Sequence, residues 1–229
     1  MYKIEDIEPS LIQSDRTDLP KNFVAVAAQL DDKGEAYHSG LIIAHNGSIK
    51  LFHYDGADMS IADVPKAKWY FHKNADLFKT TAEESSAFLA HCKIILKEAS
   101  PELGYFFDGS YYKDGKYFSK SNIGEYMTCV GFCVRAIDGY LENKEYFAYT
   151  DWTEDKQSLK HFEYFIQKQK LTNPKIDPAQ YKKHLRRIKP SDFSASAFIT
   201  DLPIRKAETD KLVALVEQVF SSKVPKKVA

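Results

Sequence analysis

The stretch that decides the fold is YMTCVGFCVRAIDGYL, residues 126–141. It predicts a buried helix that begins at a cysteine, because Thr128 is a suitable N-cap and most of the residues after it are apolar. Cys129 then lies in the first turn, near free backbone N–H groups and the positive end of the helix dipole, where a thiol pKa is lowered. Cys133 lies one turn deeper on the same face. Core packing is the alternative role for both, since free cysteine is among the most buried residue types.

Composition indicates an ordinary folded chain. Of the 229 residues, 44% are hydrophobic and 28% are charged. Lys+Arg and Asp+Glu each number 32, so net charge favours neither nucleic acid nor a membrane surface as a partner. The three cysteines do not indicate a disulfide framework, and no apolar run resembles a signal peptide or is long enough to span a bilayer. We expect one domain over residues 1–229, in the cytoplasm or secreted as an effector without a signal peptide.

The order of the predicted elements indicates an α+β fold with an antiparallel sheet packed on the cysteine-bearing helix. Apolar runs at 23–30, 36–44 and 49–54 predict a meander, and Asn46-Gly47 is a strong hairpin signal. A capping box of Thr81 and Glu84 predicts a helix over 80–99. Residues 1–22 are expected to wrap the surface, and residues 221–229 to fray. Further expectations are a loop over 57–65, a Tyr-rich hairpin over 105–118, helices over 153–170, 177–188 and 208–220, and a strand or extended segment over 196–204.

The hairpin is predicted to cluster three polar side chains. If Asn46-Gly47 is a two-residue turn, His53 faces Gly40 and His38 faces Asp55. Because side chains alternate with a period of two, His38, His53 and Asp55 then share one face of the sheet. The small Gly40 leaves room among them.

This cluster can serve a nucleophilic cysteine, which needs a base within hydrogen-bond reach and a group that orients the base. Provided that the Cys129 helix packs against the same face, His38 would accept the thiol proton or hold it as an ion pair. Either His53 or Asp55 would orient His38, and the Cys129 backbone N–H would help to bind an oxyanion. Each polar residue taken alone is also typical of an ordinary strand or turn position.

Three segments together resemble the circularly permuted NlpC-like branch of the papain-fold cysteine enzymes, which includes relatives of lecithin retinol acyltransferase. They are HSGLIIAHNGSIKLFHYDG (38–56), YMTCVGFCVRAI (126–137) and IKPSDFSASAFITDL (188–202). The resemblance matches His38 to the base, Cys129 to the nucleophile and His53 to the third polar position. The order of His before Cys is the mark of the permutation.

The resemblance implies a papain-like fold with permuted topology and a cysteine peptidase, amidase or acyltransferase that needs no cofactor or metal. The implied substrates are a peptide, a cell-wall peptide or a lipid ester. Val130 and Gly131 stand where the family often has a small polar residue followed by an acidic one, and the spacing from His38 to His53 is somewhat long. These departures leave the substrate and the third member open.

Several features of the sequence have other interpretations. A zinc site built from Cys129, Cys133 and histidines lacks the paired spacing of structural zinc sites, and the chain has no glycine-rich phosphate loop. The basic run KKHLRRIK (182–189) is more typical of a solvated helix face than of a nucleic-acid contact. The Tyr-rich hairpin could be a substrate-stacking rim or half-buried strand surface.

A non-catalytic binding module with a buried Cys129 is the second functional hypothesis, and the oligomeric state is not predicted.

Overall fold

A six-stranded antiparallel sheet is the framework of the fold. The computed structural model describes residues 2–15, 18–65, 69–72, 81–141, 144–152, 160, 163–164, 166–168 and 177–224. In chain order the sheet strands are β1 (Leu11–Gln13), β2 (Phe23–Leu30), β3 (Ala36–His45), β4 (Ser48–Tyr54), β5 (Met59–Asp63) and β6 (Trp69–His72). Their order across the sheet is β1-β6-β2-β3-β4-β5, and every neighbouring pair is antiparallel.

The other elements follow the sheet along the chain. Short strands β7 (Glu102–Leu103) and β10 (Tyr126–Met127) pair in parallel, and β8 (Tyr111–Lys113) forms a hairpin with β9 (Lys116–Phe118). The helices are α1 (Ile4–Ile7), α2 (Ala82–Glu98), α3 (Cys129–Tyr140), α4 (Pro178–Lys183), α5 (Pro190–Ser196) and α6 (Lys206–Lys223), with a 3-10 turn at Tyr149–Asp151. The α+β class with an antiparallel sheet is confirmed. None of the described helices is both long enough and apolar enough to cross a membrane.

The β3–β4 hairpin has the predicted register. Leu41 lies opposite Phe52 and His45 lies opposite Ser48, as a two-residue turn requires. Asn46 and Gly47 have φ values of 50° and 81°, in the left-handed region that asparagine and glycine tolerate best.

Helices α2 and α3 pack against one face of the sheet. Leu41 and Ile43 of β3 share a buried cluster with Phe88 of α2 and with Val130 and Phe132 of α3. The opposite face has its own cluster, which contains Ile42, Ala44, Leu51, Trp69 and Phe71. The last helix, α6, packs Leu212, Val216 and Phe220 beside Leu30 and Tyr70.

Several sequence predictions are wrong in detail. The segment 1–22 contains α1 and β1 and buries Ile7 and Leu11, because its few apolar residues reach the core. The loop expected over 57–65 contains β5, and the helix expected over 177–188 ends at Lys183. The Tyr-rich hairpin is confirmed in its core, because β8 and β9 pair around Asp114 and Gly115. Its expected first part does not join it, since Phe106 forms an isolated antiparallel bridge with Leu185.

The region around the last two helices also differs from expectation. Helix α5 occupies Pro190–Ser196, where Pro190 suits the first turn and the Asp192 carboxylate accepts the Lys189 backbone N–H at 2.8 Å. The segment expected to be a strand or extended over 196–204 therefore begins inside a helix; the rest of it is irregular, and Ile204 forms an isolated parallel bridge with Phe147. Helix α6 continues to Lys223, so the beginning of the supposedly frayed 221–229 is helical, and 225–229 lies outside the described residues. Most of the helix expected over 153–170 also lies outside them.

A buried arginine ties α3 to the segment before β8. Arg135 and Asp108 are each 1% exposed, and the closest nitrogen and oxygen of the pair lie 3.8 Å apart. Arg135 also donates hydrogen bonds to the backbone oxygens of Gly131 at 3.2 Å and Phe106 at 2.9 Å. The guanidinium therefore holds the Cys129 helix against a neighbouring segment.

Replacing Arg135 with methionine should lower the free energy of unfolding by about 3–5 kcal/mol, because it leaves Asp108 buried beside an apolar side chain. Urea unfolding followed by tryptophan fluorescence measures the change. Lys97→Met on α2 is the matched control, since the Lys97 side chain is 82% exposed and should cost no more than about 0.5 kcal/mol. Adding Asp108→Asn to Arg135→Met should restore part of the loss. A loss below about 1 kcal/mol in Arg135→Met would contradict this role.

Candidate active site

Cys129 is the first residue of α3, and its helix is capped as the sequence predicts. The Thr128 hydroxyl accepts a hydrogen bond from the Gly131 backbone N–H at 3.1 Å. Strand β10 lies immediately before Thr128 and pairs with β7, so the chain entering the helix is held in place. The thiol is therefore presented at a fixed helix end, while Cys133, one turn deeper, is fully buried.

His38 and His53 form a direct pair across the hairpin. Nε2 of His38 lies 2.9 Å from Nδ1 of His53, and the two rings meet edge to face. Gly40 makes this possible, because a Cβ at that position would lie 3.1 Å from the His53 Cβ and 2.8 Å from Cδ1 of Leu51. The predicted contact between the two histidines is present.

Asp55 has a different role from the one considered for it. Its carboxylate accepts backbone hydrogen bonds from Ala57 at 2.9 Å and Asp58 at 2.8 Å, which makes it a turn residue. These two bonds, that of Asp58 being the stronger, lower the pKa of Asp55, and the charges of His53 and His38 act in the same direction. Asp55 is thus an electrostatic neighbour of the pair, whereas His53 is the group in contact with His38.

All four predicted site residues line one cavity of about 470 Å³. The cavity brings together the thiol end of α3, the histidine pair and the segment before α5. Its lining comprises Gln29, Tyr37, His38, His53, Asp55, Gly56, Leu103, Tyr105, Thr128, Cys129, Val130, Arg187, Ile188 and Pro190.

The route by which Cys129 reaches this cavity differs from the prediction. The expectation that α3 packs on the histidine face is wrong: α3 packs on the face of Leu41 and Phe52, while both histidines contact Trp69 on the other face. The β3–β4 ladder ends at Leu41 opposite Phe52, although β3 extends back to Ala36 and β4 on to Tyr54. The thiol lies beside this end of the ladder, where the backbone of Ser39 acts to lower its pKa.

Burial decides the protonation of the site. Burial raises the pKa of the Cys129 thiol, against opposing effects from backbone hydrogen bonds of Ser39, Val130 and Cys129 and from the charge of Arg187. The expected lowering by the helix terminus is therefore outweighed. Burial and the neighbouring His53 lower the pKa of His38 to about 4, and burial also lowers the pKa of His53. At neutral pH the arrangement is a neutral thiol with a neutral histidine pair.

Sequence analysis did not predict three residues that line or contact the site. Gln29 lies opposite His38 in the β2–β3 ladder and lines the cavity. Its place depends on the register between β2 and β3, and the sequence between these strands carries no turn signal that fixes that register. Trp69 of β6 packs its ring 5.5 Å from that of His38. Arg187 lies beyond the end of α4 and lines the cavity, so the expectation that the basic run 182–189 forms a solvated helix face is wrong at this residue.

Among the described residues, no group of three or more His, Cys, Asp or Glu side chains is arranged to hold a metal ion. Comparison of the chain with protein-family models, with curated proteins and with solved structures found no match.

The low pKa of His38 should be visible as a titration. In an NMR titration with ¹³C-labelled histidine, the His38 signal should have its midpoint near pH 4 in place of the ordinary 6.5, and His38→Ala should remove that signal. Since the folded chain binds fewer protons than the unfolded chain in this window, the free energy of unfolding should be fully maintained above pH 6.5 and fall as pH decreases towards 4. A midpoint near 6.5 would contradict the buried neutral pair.

Proposed function

We propose that this protein is a thiol hydrolase or acyltransferase that uses Cys129 and His38 to cleave an amide or an ester. The observation that supports this most strongly is the shared cavity, which is lined both by a cysteine at a capped helix end and by a hydrogen-bonded histidine pair. The order of His before Cys and the sheet packed on the Cys helix also fit the permuted papain-like topology that the sequence resembles. We propose that topology for the fold.

In the proposed acylation step, His38 takes the proton of the Cys129 thiol while the sulfur attacks the substrate carbonyl carbon. The step uses the tautomer in which Nε2–H of His38 donates to Nδ1 of His53, so that Nδ1 of His38 receives the thiol proton. Because both groups are neutral at rest, proton transfer accompanies the attack, in contrast to a preformed thiolate–imidazolium pair. The backbone N–H of Cys129, at the start of α3, would help to bind the oxyanion.

The reaction is completed by the same residues. The tetrahedral intermediate collapses with cleavage of the C–N or C–O bond, and His38 returns the proton to the departing amine or alcohol. A water molecule or an amine then loses a proton to His38 and attacks the thioester, which releases the acyl group and restores the thiol. The sequence resemblance points to a peptide, a cell-wall peptide or a lipid ester as the substrate.

A non-catalytic binding module is the second candidate, and one observation favours it. The raised pKa of Cys129 is typical of an inert, buried thiol, and a cavity of this size could hold a ligand without chemistry. The two candidates differ in whether the sulfur ever becomes acylated.

Acylation can be trapped with an activated ester. Mixing the protein with p-nitrophenyl butyrate should release one equivalent of p-nitrophenolate in a burst and leave a butyryl group on Cys129, located by mass spectrometry. His38→Ala should slow the burst by about 10²–10⁴-fold, the usual contribution of a general base. Cys129→Ser should abolish the thioester adduct.

Cys92→Ala and Cys133→Ala are the matched controls, because both thiols are fully buried and lie outside the cavity. They should keep the burst, with their folding verified by circular dichroism. Labelling of another residue, or an unchanged burst in His38→Ala, would rule out the proposed pair. Absence of any acylation in a folded protein would favour the binding module.

A further inference from the structure

Arg187 provides the positive charge of the cavity. The charged residues among the lining are Asp55 and Arg187, and Asp55 already accepts the backbone hydrogen bonds of its own turn. Arg187 takes part in none of the salt bridges between described residues. A guanidinium that lines a cavity and has no carboxylate partner among the described residues is suited to bind an anionic ligand.

The backbone on both sides of Arg187 is anchored. The Arg186 backbone N–H bonds to the Tyr105 oxygen at 3.3 Å, and the Arg186 side chain bonds to the Phe107 oxygen at 3.2 Å. On the other side, Ile188 is 4% exposed. The Arg187 guanidinium lies over the Tyr105 ring, 5.8 Å from its centroid. The side chain is thus held against an aromatic wall of the cavity, which reduces the entropy lost when a ligand binds.

Arg187 is also electrostatically coupled to the thiol. Its charge is among the influences that oppose the rise in the pKa of Cys129. The lining also includes two exposed side chains with large apolar surface, Tyr37 at 55% and Leu103 at 47% exposed. The cavity therefore combines a cation that acts on the sulfur with exposed apolar surface.

We propose that Arg187 is a specificity residue that binds a carboxylate on the acyl part of the substrate, next to the carbonyl that Cys129 attacks. This inference rests on the proposed function and narrows its substrate class to amides or esters of acidic acyl groups. The planar fork of donors on arginine matches the two oxygens of a carboxylate, which gives such a substrate both attraction and orientation.

The charge can be measured without any enzyme activity. Iodoacetate and iodoacetamide alkylate a thiolate by the same displacement, in which an S–C bond forms and iodide leaves, but only iodoacetate carries a carboxylate. Both rate constants at Cys129 are proportional to the fraction of the thiol that is ionised, so this fraction cancels in their ratio. At pH 8 both histidines are neutral because their pKa values are lowered, so the ratio reports the remaining positive charge.

In Arg187→Gln the ratio of iodoacetate to iodoacetamide rates should fall about fivefold, the size of one partly screened charge interaction. Arg187→Lys should keep most of the wild-type ratio. Lys183→Gln is the charge-matched control, since Lys183 is exposed at the end of α4 and should leave the ratio unchanged. Raising the salt to about 0.5 M should reduce the difference between Arg187→Gln and wild type.

A second measurement tests whether the charge of Arg187 also affects the choice of substrate. Mono-p-nitrophenyl glutarate and p-nitrophenyl butyrate differ by a carboxylate, and Arg187→Gln should lower the glutarate-to-butyrate ratio of kcat/KM. An unchanged alkylation ratio in Arg187→Gln would overturn the anion site even if Cys129 is acylated normally. A shifted alkylation ratio in a protein that is never acylated would support the anion site and overturn its place in catalysis. Failure of this inference and failure of the proposed function are therefore distinguishable.

Discussion

The register of the β3–β4 hairpin is the constraint on which the site depends. A two-residue turn with positive φ at Asn46 and Gly47 fixes which residues of the two strands face each other. A slip of one residue in one strand would move its histidine to the other face and separate His38 from His53. The 2.9 Å contact between their rings also needs the missing side chain of Gly40, which keeps the space beside His53 open. Short-range turn chemistry thus determines the arrangement of a site formed by residues far apart in the chain.

The two faces of the sheet position different parts of this site. One face, with Trp69, supports the histidine pair, and the other face anchors the buried helix that begins at Cys129. The sulfur and the imidazoles still line one cavity because α3 begins where the β3–β4 ladder has ended. Apolar packing along α3, the Thr128 cap and the Arg135–Asp108 pair keep that helix end in place. The position of the thiol therefore depends on a large buried surface and not on a flexible loop.

The features that sequence analysis predicted correctly are those set by local rules. The hairpin register, the start of α3 at a threonine cap and the capping box of Thr81 on α2 each depend on a few neighbouring residues. The features it missed depend on the tertiary arrangement. No local signal shows which sheet face receives α3, and none brings Arg187 to the thiol from about sixty residues away. Helix α5 was missed because seven residues are too few to show a helical period, and because proline and serine are typical of turns.

The pKa of Cys129 also depends on tertiary structure that the local sequence does not show, and it affects the proposed reaction. Backbone hydrogen bonds at the start of α3, which its sequence predicts, and the charge of Arg187, which its sequence does not predict, favour the thiolate, but burial outweighs them. In the proposed reaction this balance is not a defect. A neutral thiol and a neutral imidazole need little solvation at rest, whereas the transition state separates charge between His38 and the carbonyl oxygen. Backbone N–H groups held in a partly buried site act more strongly on that charge than water would, since they need no reorganisation when it forms. In the proposed reaction, these N–H groups interact with a charge that is present in the transition state and absent from the bound substrate. Interactions that are stronger in the transition state than in the substrate complex raise the rate, whereas equal interactions with both only strengthen substrate binding.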